Sequence, residues 1–178
     1  MKQQHPDRQE CLRILREYKT PEHVIRHCMA VADTALKVAS ALNEHGYHLD
    51  LPLIGAAAGL HDIARKEEEH WTRGAEVAES LGLYQEADII RVHMHYSPFS
   101  SLENLTETDL VCLGDRTVKE DEYVGLEKRM EYILEKARKG GRPNSVERIL
   151  EKKEETRNLI SGIENIIGMT LDQLMKGE

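Results

Sequence analysis

The chain has 178 residues, a formal net charge of −8 and a hydrophobic fraction of 40%. That length suits one domain with a sizeable core and is short for two. The acidic balance disfavours binding to nucleic acid, because phosphate backbones attract basic surfaces. Since the chain has neither a long apolar run nor a signal-peptide pattern near its start, we expect no membrane span and no export. We therefore predict a cytoplasmic protein that acts on a small molecule.

Helical signals account for nearly the whole chain, alternating β patterns are absent, and only 4% of the residues are aromatic. We therefore predict an all-α fold. In the first predicted helix Thr20 is the N-cap and Pro21 takes the first helical position, and this helix ends near residues 45–46. Asp50 begins the next helix, whose final turn carries residues 61–62.

Two more helices are predicted over residues 68–81 and 85–96. A loop over residues 97–105 follows them, and we expect it to border the functional site. Thr106 or Thr108 can cap the next helix, because both hydroxyls lie just before an apolar stretch.

The C-terminal part is predicted to hold two further helices. One covers residues 126–138 and stops at the glycine-containing segment 140–144, the clearest hinge in the sequence. Ser145 then caps a longer, highly charged helix. Its apolar stripe, which either folds back on the core or forms a dimer, consists of Val146, Ile149, Leu150, Leu159, Ile163, Ile166 and Ile167.

The three cysteines, Cys11, Cys28 and Cys112, occupy apolar positions and form no short paired motif. Dispersed cysteines in an odd number are typical of reduced, buried thiols. The sequence therefore predicts no disulfide.

Histidine and aspartate recur inside apolar helical stretches, first as His27, then as His61-Asp62 in GLHDIAR, and last as Asp115 in VCLGDRTVK. Burial of an imidazole beside a carboxylate is costly unless both groups are paired or coordinated. A shared divalent cation provides that pairing, because both side chains are ligands of transition metals. We therefore predict a metal site rather than a buried hydrogen-bond network, and expect Gly114 to relieve crowding against the ion.

This order of motifs resembles the HD-domain superfamily of metal-dependent phosphohydrolases, and the resemblance covers residues 20–120. GLHDIAR matches the family's signature, an apolar residue before His-Asp-Ile, then Gly or Ala, then Lys or Arg. The resemblance implies an all-α helical bundle. It also implies that one metal is bound by His27, His61, Asp62 and Asp115. Residues 121–178 would form a C-terminal helical extension that packs on this core or dimerises, which allows a homodimer.

Two further segments are similar to the two-metal members of that family. His70 precedes a Gly-Ala pair as in the family's His-x-x-x-Gly-Ala element, and His93 in IIRVHMHYSP resembles its next histidine. With both as ligands, the resemblance implies that Asp62 bridges two ions. The pattern departs at HMH, which also offers His95. The Ile-x-x-x-His register favours His93 and leaves His95 on the substrate side.

The other histidines have simpler explanations. His23 lies four residues before His27 on one helix face, a spacing that can bind metal, but the family pattern uses one histidine there. We expect His23 to be exposed or to lie just outside the ligands. His5, His45 and His48 fall in tail or loop segments, and we expect them at the surface.

The resemblance implies hydrolysis of a small phosphorylated metabolite, most simply a nucleotide, with one or two divalent ions from among Mn, Fe, Co, Ni, Zn and Mg. A divalent ion lowers the pKa of bound water, so that metal-bound hydroxide can attack phosphorus. Asp62 is the candidate for orienting that water, and nearby cations would offset the developing charge. The candidate catalytic cations are Arg116, ranked first, and Lys66. The candidates for substrate binding are Arg65, Lys66, His95, Arg116 and Lys119.

Three other functions remain open from the sequence. Some six-ligand relatives of the HD fold hold a mixed-valent di-iron centre and activate oxygen instead of hydrolysing phosphate. A second alternative is a regulatory module that senses a nucleotide without turnover. The third is a helical interaction protein built on the C-terminal amphipathic helix, which leaves the buried histidines unexplained.

Overall fold

The computed structural model describes residues 4–177, most of which are helical, so the predicted all-α class is confirmed. The helices in this part of the chain are α1 (Arg8–Glu17), α2 (Glu22–Glu44), α3 (Leu51–Leu60), α4 (His70–Ser80), α5 (Tyr84–Val92), α6 (Glu107–Asp115), α7 (Leu126–Lys139), α8 (Pro143–Ile167) and α9 (Leu171–Lys176). Between α6 and α7 lies an antiparallel hairpin of β1 (Val118–Lys119) and β2 (Glu122–Tyr123). In residues 4–177, no helix is both long and apolar enough to cross a bilayer.

Two apolar clusters meet along the central pair of helices, α2 and α3. One cluster combines the later part of α2 and the first part of α3 with α6, α8 and α9. The other combines the earlier part of α2 and the end of α3 with α1, α4 and α5. Because α2 and α3 contribute to both clusters, they form a rigid centre against which the shorter helices are placed.

The C-terminal helix α8 folds back on the core. Its residues Leu159, Ile163 and Ile167 are buried in the same cluster as α2 and α6, whereas Leu150 in its first half is 47% exposed. Helix α7 runs antiparallel to α8, since Glu127 at the start of α7 pairs with residues in the middle of α8. The second half of the predicted apolar stripe is therefore used within the chain.

Two helix starts differ from the prediction. Thr20 does not cap α2, because its hydroxyl donates a hydrogen bond to the Ile63 carbonyl at 3.1 Å and Pro21 takes the N-cap position. Helix α8 begins at Pro143, before the predicted cap at Ser145, and proline is well suited to the first turn of a helix.

Two other starts are confirmed. The Asp50 carboxylate accepts a hydrogen bond from the Leu53 amide at 3.1 Å and so caps α3. Thr106 and Asp109 form a reciprocal capping box at the start of α6. Helix α6 ends at Asp115, one of the predicted metal ligands.

Helices α4 and α5 are both shorter than predicted. Helix α4 begins at His70, after Glu69 adopts a left-handed backbone with φ of 48°, and α5 ends at Val92 rather than at residue 96. His70 and His93 therefore lie at helix ends. Helices α1 and α9 and the β-hairpin had no counterpart in the prediction.

Gly114 allows a close approach of two helices. A Cβ atom at this position would lie 3.0 Å from the carbonyl oxygen of Val31 and 3.3 Å from the Cβ atom of Ala35. The contact that this glycine relieves is therefore with α2, and it brings Asp115 close to His27.

Candidate metal centre

The six predicted metal ligands come together from five helices, and five of the six lie at a helix end or directly after one. His27 projects from α2, His61 and Asp62 directly follow α3, His70 begins α4, His93 follows α5 and Asp115 ends α6. The helical path ends just before His61 and Asp62, and the turn that follows lets both side chains face the same interior. The side chains of His61, Asp62, His70 and His93 are at most 10% exposed, whereas His27 and Asp115 are 13% and 20% exposed.

One half of the cluster, which we name site A, comprises His27, His61 and Asp115 together with Oδ2 of Asp62. Oδ1 of Asp115 lies 3.0 Å from Nε2 of His27 and 3.5 Å from Nε2 of His61. Oδ2 of Asp62 lies 3.9 Å and 3.6 Å from the same two nitrogens. Two ligands that are each about 2.1 Å from one ion are roughly 3.0–3.4 Å apart. Site A is therefore close to the dimensions of a metal site.

The other half, which we name site B, comprises His70 and His93 with the second carboxylate oxygen of Asp62. Oδ1 of Asp62 lies 3.3 Å from Nε2 of His70 and 3.5 Å from Nε2 of His93. His61, Asp62 and His93 also offer ligand atoms close enough to share one ion. Since the two oxygens of Asp62 face different pairs of histidines, this carboxylate can bridge two cations.

Backbone carbonyls orient three of these imidazoles. Nδ1 of His61 lies 2.6 Å from the Ala58 carbonyl oxygen, and Nδ1 of His93 lies 2.6 Å from that of Ile90. Nδ1 of His27 lies 2.7 Å from the carbonyl oxygen of Glu120 in the turn of the β-hairpin. Because a carbonyl accepts only, each Nδ1 carries the proton and each Nε2 is left to coordinate.

Nε2 of His61 and Nε2 of His93 are buried without a hydrogen-bond partner within residues 4–177. A buried polar atom without a partner costs free energy. With Nδ1 as the donor, each of these nitrogens directs a lone pair at a carboxylate, and a cation between them would bind both groups. The donor set therefore fits one or two divalent ions.

Without an ion, protons balance the charge of the carboxylates. Burial alone would lower the pKa of His61, but the charge of Asp62 outweighs it and holds that pKa well above the ordinary value. Burial would likewise raise the pKa of Asp62 and of Asp115. The facing histidines outweigh burial in both cases and hold both pKa values well below the ordinary range. The cluster thus retains two carboxylates that require positive charge beside them.

The remaining histidines lie outside this cluster. His23, His45 and His48 are exposed as predicted. His95 is also exposed, and its ring meets that of Trp71 edge-on at 4.8 Å between centroids. The predicted surface position of His5 is wrong. Its side chain is only 7% exposed, and Nδ1 lies 2.5 Å from the fully buried carboxylate of Glu86, which needs a partner.

A cavity of about 630 Å³ opens beside Asp62, His93 and Asp115. Helices α7 and α8 form its opposite wall. Its cationic lining residues are Arg65, Arg116, Arg129, Lys136, Arg142 and Lys152. Its apolar lining residues are Met94, Met130, Ile133, Ala137 and Ile149. The candidate metal centre is therefore open to a ligand that meets both positive charge and apolar surface.

Only some of the predicted substrate-binding residues line the cavity. Arg65 and Arg116 line the cavity, whereas the exposed Lys66 and His95 are not among its lining residues. Lys119 lies 4.6 Å from the ring centroid of Tyr132, which itself lines the cavity.

Arg116 is largely engaged by the protein itself. Its guanidinium donates to the Tyr96 carbonyl and to the Thr156 hydroxyl, and it lies 4.7 Å from the ring centroid of Phe99. Arg116 is only 7% exposed. These contacts connect the loop after α5 to α8.

Four cations of the cavity, all in the C-terminal helices or the connection between them, were missed in the sequence. Among the described residues, none of Arg129, Lys136, Arg142 and Lys152 forms a salt bridge. Nε of Arg129 donates to the Asp115 carbonyl at 3.3 Å, and Nζ of Lys152 donates to the Met94 carbonyl at 2.7 Å. The available signal was the recurrence of Arg129, Tyr132 and Lys136 on one helical face.

Three comparisons with known proteins give little beyond this geometry. No protein-family model matches the chain, and no solved structure matches it. An uncharacterized protein of the archaeon Methanocaldococcus jannaschii is 29% identical over 154 residues, which cover 78% of this chain and 90% of that protein. Because that relative is itself uncharacterized, the similarity carries no activity to the chain.

Proposed function

We propose that this protein is a metal-dependent phosphohydrolase of the HD-domain superfamily, acting on a small phosphorylated metabolite, most simply a nucleotide. One observation carries the proposal. The buried cluster of histidines and aspartates opens into a cavity whose cations have few anionic partners in the described part of the chain. A phosphate ester fits both the cluster and the cavity, because its oxygens can bind metal ions and its negative charge is attracted by the cations.

The ligand set determines which ions suit the centre. His27, His61 and Asp115 would hold one ion and His70 and His93 a second, with Asp62 between them. Four imidazoles and two carboxylates favour Mn, Fe, Co, Ni or Zn over ions that prefer oxygen ligands alone. When bound, such ions lower the pKa of a coordinated water towards neutrality and polarise a phosphoryl oxygen.

The residues beside the cluster would bind and orient the phosphate. Nε of Arg65 lies 4.0 Å from Oδ2 of Asp62, and Arg65 lines the cavity. Arg129 and Lys152 are each anchored to a backbone carbonyl at the same end of the cavity. A fixed cation offsets developing negative charge without reorganisation. We assign phosphate binding to these three residues, and to Arg116 the additional task of holding the loop after α5.

The cavity favours phosphate chemistry over the alternatives. Oxygen activation by a di-iron centre does not call for a concentration of cations, whereas binding of a phosphate ester does. The protein has a net charge of −8, yet several lysine and arginine residues line one cavity. This arrangement suits an anionic ligand. A protein that served only to bind other proteins would need an exposed apolar face on α8, but half of that face is buried in the core.

The experiment measures phosphate release from a panel of nucleotides and an aryl phosphate with added Mn, Co, Ni or Mg. It compares the wild type with Asp62→Ala and with Asp88→Ala, a control that removes an exposed carboxylate of α5. We expect turnover that requires metal, falls to background in Asp62→Ala and is retained in Asp88→Ala. Retained turnover in Asp62→Ala, or no turnover with any metal, contradicts the proposal. Bound iron with oxygen uptake would instead indicate the di-iron alternative.

A further inference from the structure

The cavity extends well beyond the candidate metal centre. Its lining residues on α7 and just after it run from Arg129 to Gly140, a distance of roughly 16 Å at 1.5 Å per residue. Arg129 marks the end near the metal centre, since its Nε lies 3.3 Å from the Asp115 carbonyl. Lys136 lies two helical turns further along, and Arg142 follows the end of the helix. Positive charge is therefore present at both ends of the cavity.

The cations at the far end of the cavity have no carboxylate partner in the described part of the chain, unlike two cations near them or on α4. Lys139 on the same helix pairs with Glu135 at 3.0 Å, and Arg73 on α4 is paired with two glutamates. Within residues 4–177, Lys136 and Arg142 form no salt bridge. Because Lys136 and Arg142 line the cavity without a carboxylate partner among these residues, their charge is available to an anion bound there.

Positive charge is concentrated further around Tyr132. Nζ of Lys119 and Nζ of Lys136 both lie 4.6 Å from the centroid of its ring. Two ammonium groups on one ring repel each other, although each is attracted by the ring. An anion bound beside Tyr132 would reduce that repulsion.

Apolar side chains separate the two charged ends. Met130, Ile133 and Ala137 follow one another at helical spacing on α7, and Ile149 faces the cavity from α8. Such a wall suits the sugar or base of an organic phosphate better than a bare phosphate chain. The cavity volume of about 630 Å³ is sufficient for a molecule of this kind.

We infer that Lys136 and Arg142 form a second anion subsite, and that the substrate is an organic compound with two phosphate groups separated by its organic body. One phosphate is bound at the metal centre and the other at this subsite. The inference rests on the proposed function for the identity of the first position. The second position depends only on the charges and apolar wall of the α7–α8 hairpin.

The experiment compares adenosine 3′,5′-bisphosphate with adenosine 5′-monophosphate at constant ionic strength. It uses the wild type, Lys136→Gln, Arg142→Gln and the control Lys139→Gln, which removes the same charge from the outer face of α7. All three side chains are exposed, so the variants are expected to fold. We expect the wild type to use the bisphosphate at least about tenfold more efficiently in kcat/KM, because a charge-assisted contact contributes about that factor. Lys136→Gln and Arg142→Gln should each reduce this ratio about tenfold, and Lys139→Gln should leave it unchanged.

Binding of the same two nucleotides, measured by titration calorimetry, separates this inference from the proposed function. If neither is hydrolysed but the bisphosphate binds about tenfold more tightly, and Lys136→Gln abolishes that advantage, the subsite stands and the hydrolase proposal fails. If the monophosphate is hydrolysed and the second phosphate gives no advantage in binding or turnover, the subsite is overturned. An equal loss in Lys136→Gln and Lys139→Gln also overturns it, because the effect would then be general electrostatics.

Discussion

His61 and His93 are held in the same way although they follow different helices. Each directs Nδ1 to the backbone carbonyl three residues earlier, at 2.6 Å, and each buries Nε2 without a hydrogen-bond partner in the described part of the chain. A helix end provides such a carbonyl at no cost, because its last carbonyls lack partners within the helix. The same local geometry thus prepares one ligand for site A and one for site B.

The first prediction concerns the number of bound ions. We expect about two ions per chain in the wild type and about one in His93→Ala, because site B then keeps only one histidine. Asp62→Ala should weaken the binding of both ions, because the two carboxylate oxygens of Asp62 face different sites. The measurement is elemental analysis after equilibrium dialysis against buffered Mn or Zn.

His95→Ala is the matched control, since it removes the neighbouring imidazole in HMH. We expect this variant to retain both ions. Two ions in His93→Ala, or the loss of one in His95→Ala, would show that the structure assigns the wrong histidine to site B.

The candidate ligands could be identified from the sequence for a physical reason. A polar side chain such as His61 or Asp62 inside an apolar run must be paired, and few pairings suit imidazole and carboxylate together. The groups that orient these side chains could not be identified from the sequence. The carbonyls of Ala58, Ile90 and Glu120 are backbone atoms, which every residue carries, so the sequence contains no sign of their role.

The cationic wall of the cavity was missed because its function arises from packing. Lys136 and Lys139 look equivalent in the sequence, and only the position of α7 against the core separates the cavity-lining lysine from the one paired with Glu135. The burial of His5 could not be predicted for the same reason, because its partner Glu86 is distant in sequence. Contacts of this kind depend on the tertiary fold and not on a local period.

The second prediction is that Gly114→Ala destabilises the protein. The new Cβ would lie 3.0 Å from the Val31 carbonyl oxygen, so α6 must move away from α2. We expect a loss of about 1–3 kcal/mol in the free energy of unfolding, as for other overpacked sites, partly offset by the better helix propensity of alanine. Urea denaturation measures it.

Gly55→Ala is the control on α3, where the nearest atom to the new Cβ is a flexible Leu36 methyl at 3.4 Å. That variant should be as stable as the wild type or up to about 1 kcal/mol more stable. Equal stability of the two variants would argue against the close α2–α6 contact.

The third prediction concerns the loop between α5 and α6. The buried carboxylate of Asp109 accepts hydrogen bonds from the Tyr96 hydroxyl at 2.9 Å, from the Ser100 amide at 3.0 Å and from the Thr106 amide at 2.7 Å. Asp109→Ala leaves these donors unpaired, and we expect a loss of about 2–4 kcal/mol in the free energy of unfolding.

The same variant should also make residues 97–105 more susceptible to limited proteolysis, because the loop loses its central acceptor. Glu103→Ala is the control, as Glu103 is an exposed residue of the same loop. Its effect should stay within about 0.5 kcal/mol. A loop that remains protected in Asp109→Ala would show that other contacts hold it.

The fourth prediction concerns the thiols. Burial raises the pKa of Cys11 and of Cys112 to about 12. The thiolate is the reactive form, so on the order of one such thiol in ten thousand is ionised at pH 8. Cys28 is also buried. We expect no rapid reaction with a thiol reagent in the native protein and reaction of all three cysteines in denaturant.

The same shifts predict how stability varies in alkaline solution. In the unfolded chain these thiols ionise near the ordinary thiol pKa of 9.0, whereas in the folded protein they stay protonated up to about pH 12. The folded state therefore binds more protons in this range, and the free energy of unfolding falls as the pH rises from about 9 to about 12. Cys112→Ala should make this decline shallower in urea titrations at several pH values. A rapidly labelled native cysteine, or an equally steep decline in Cys112→Ala, would contradict the burial assigned to these thiols.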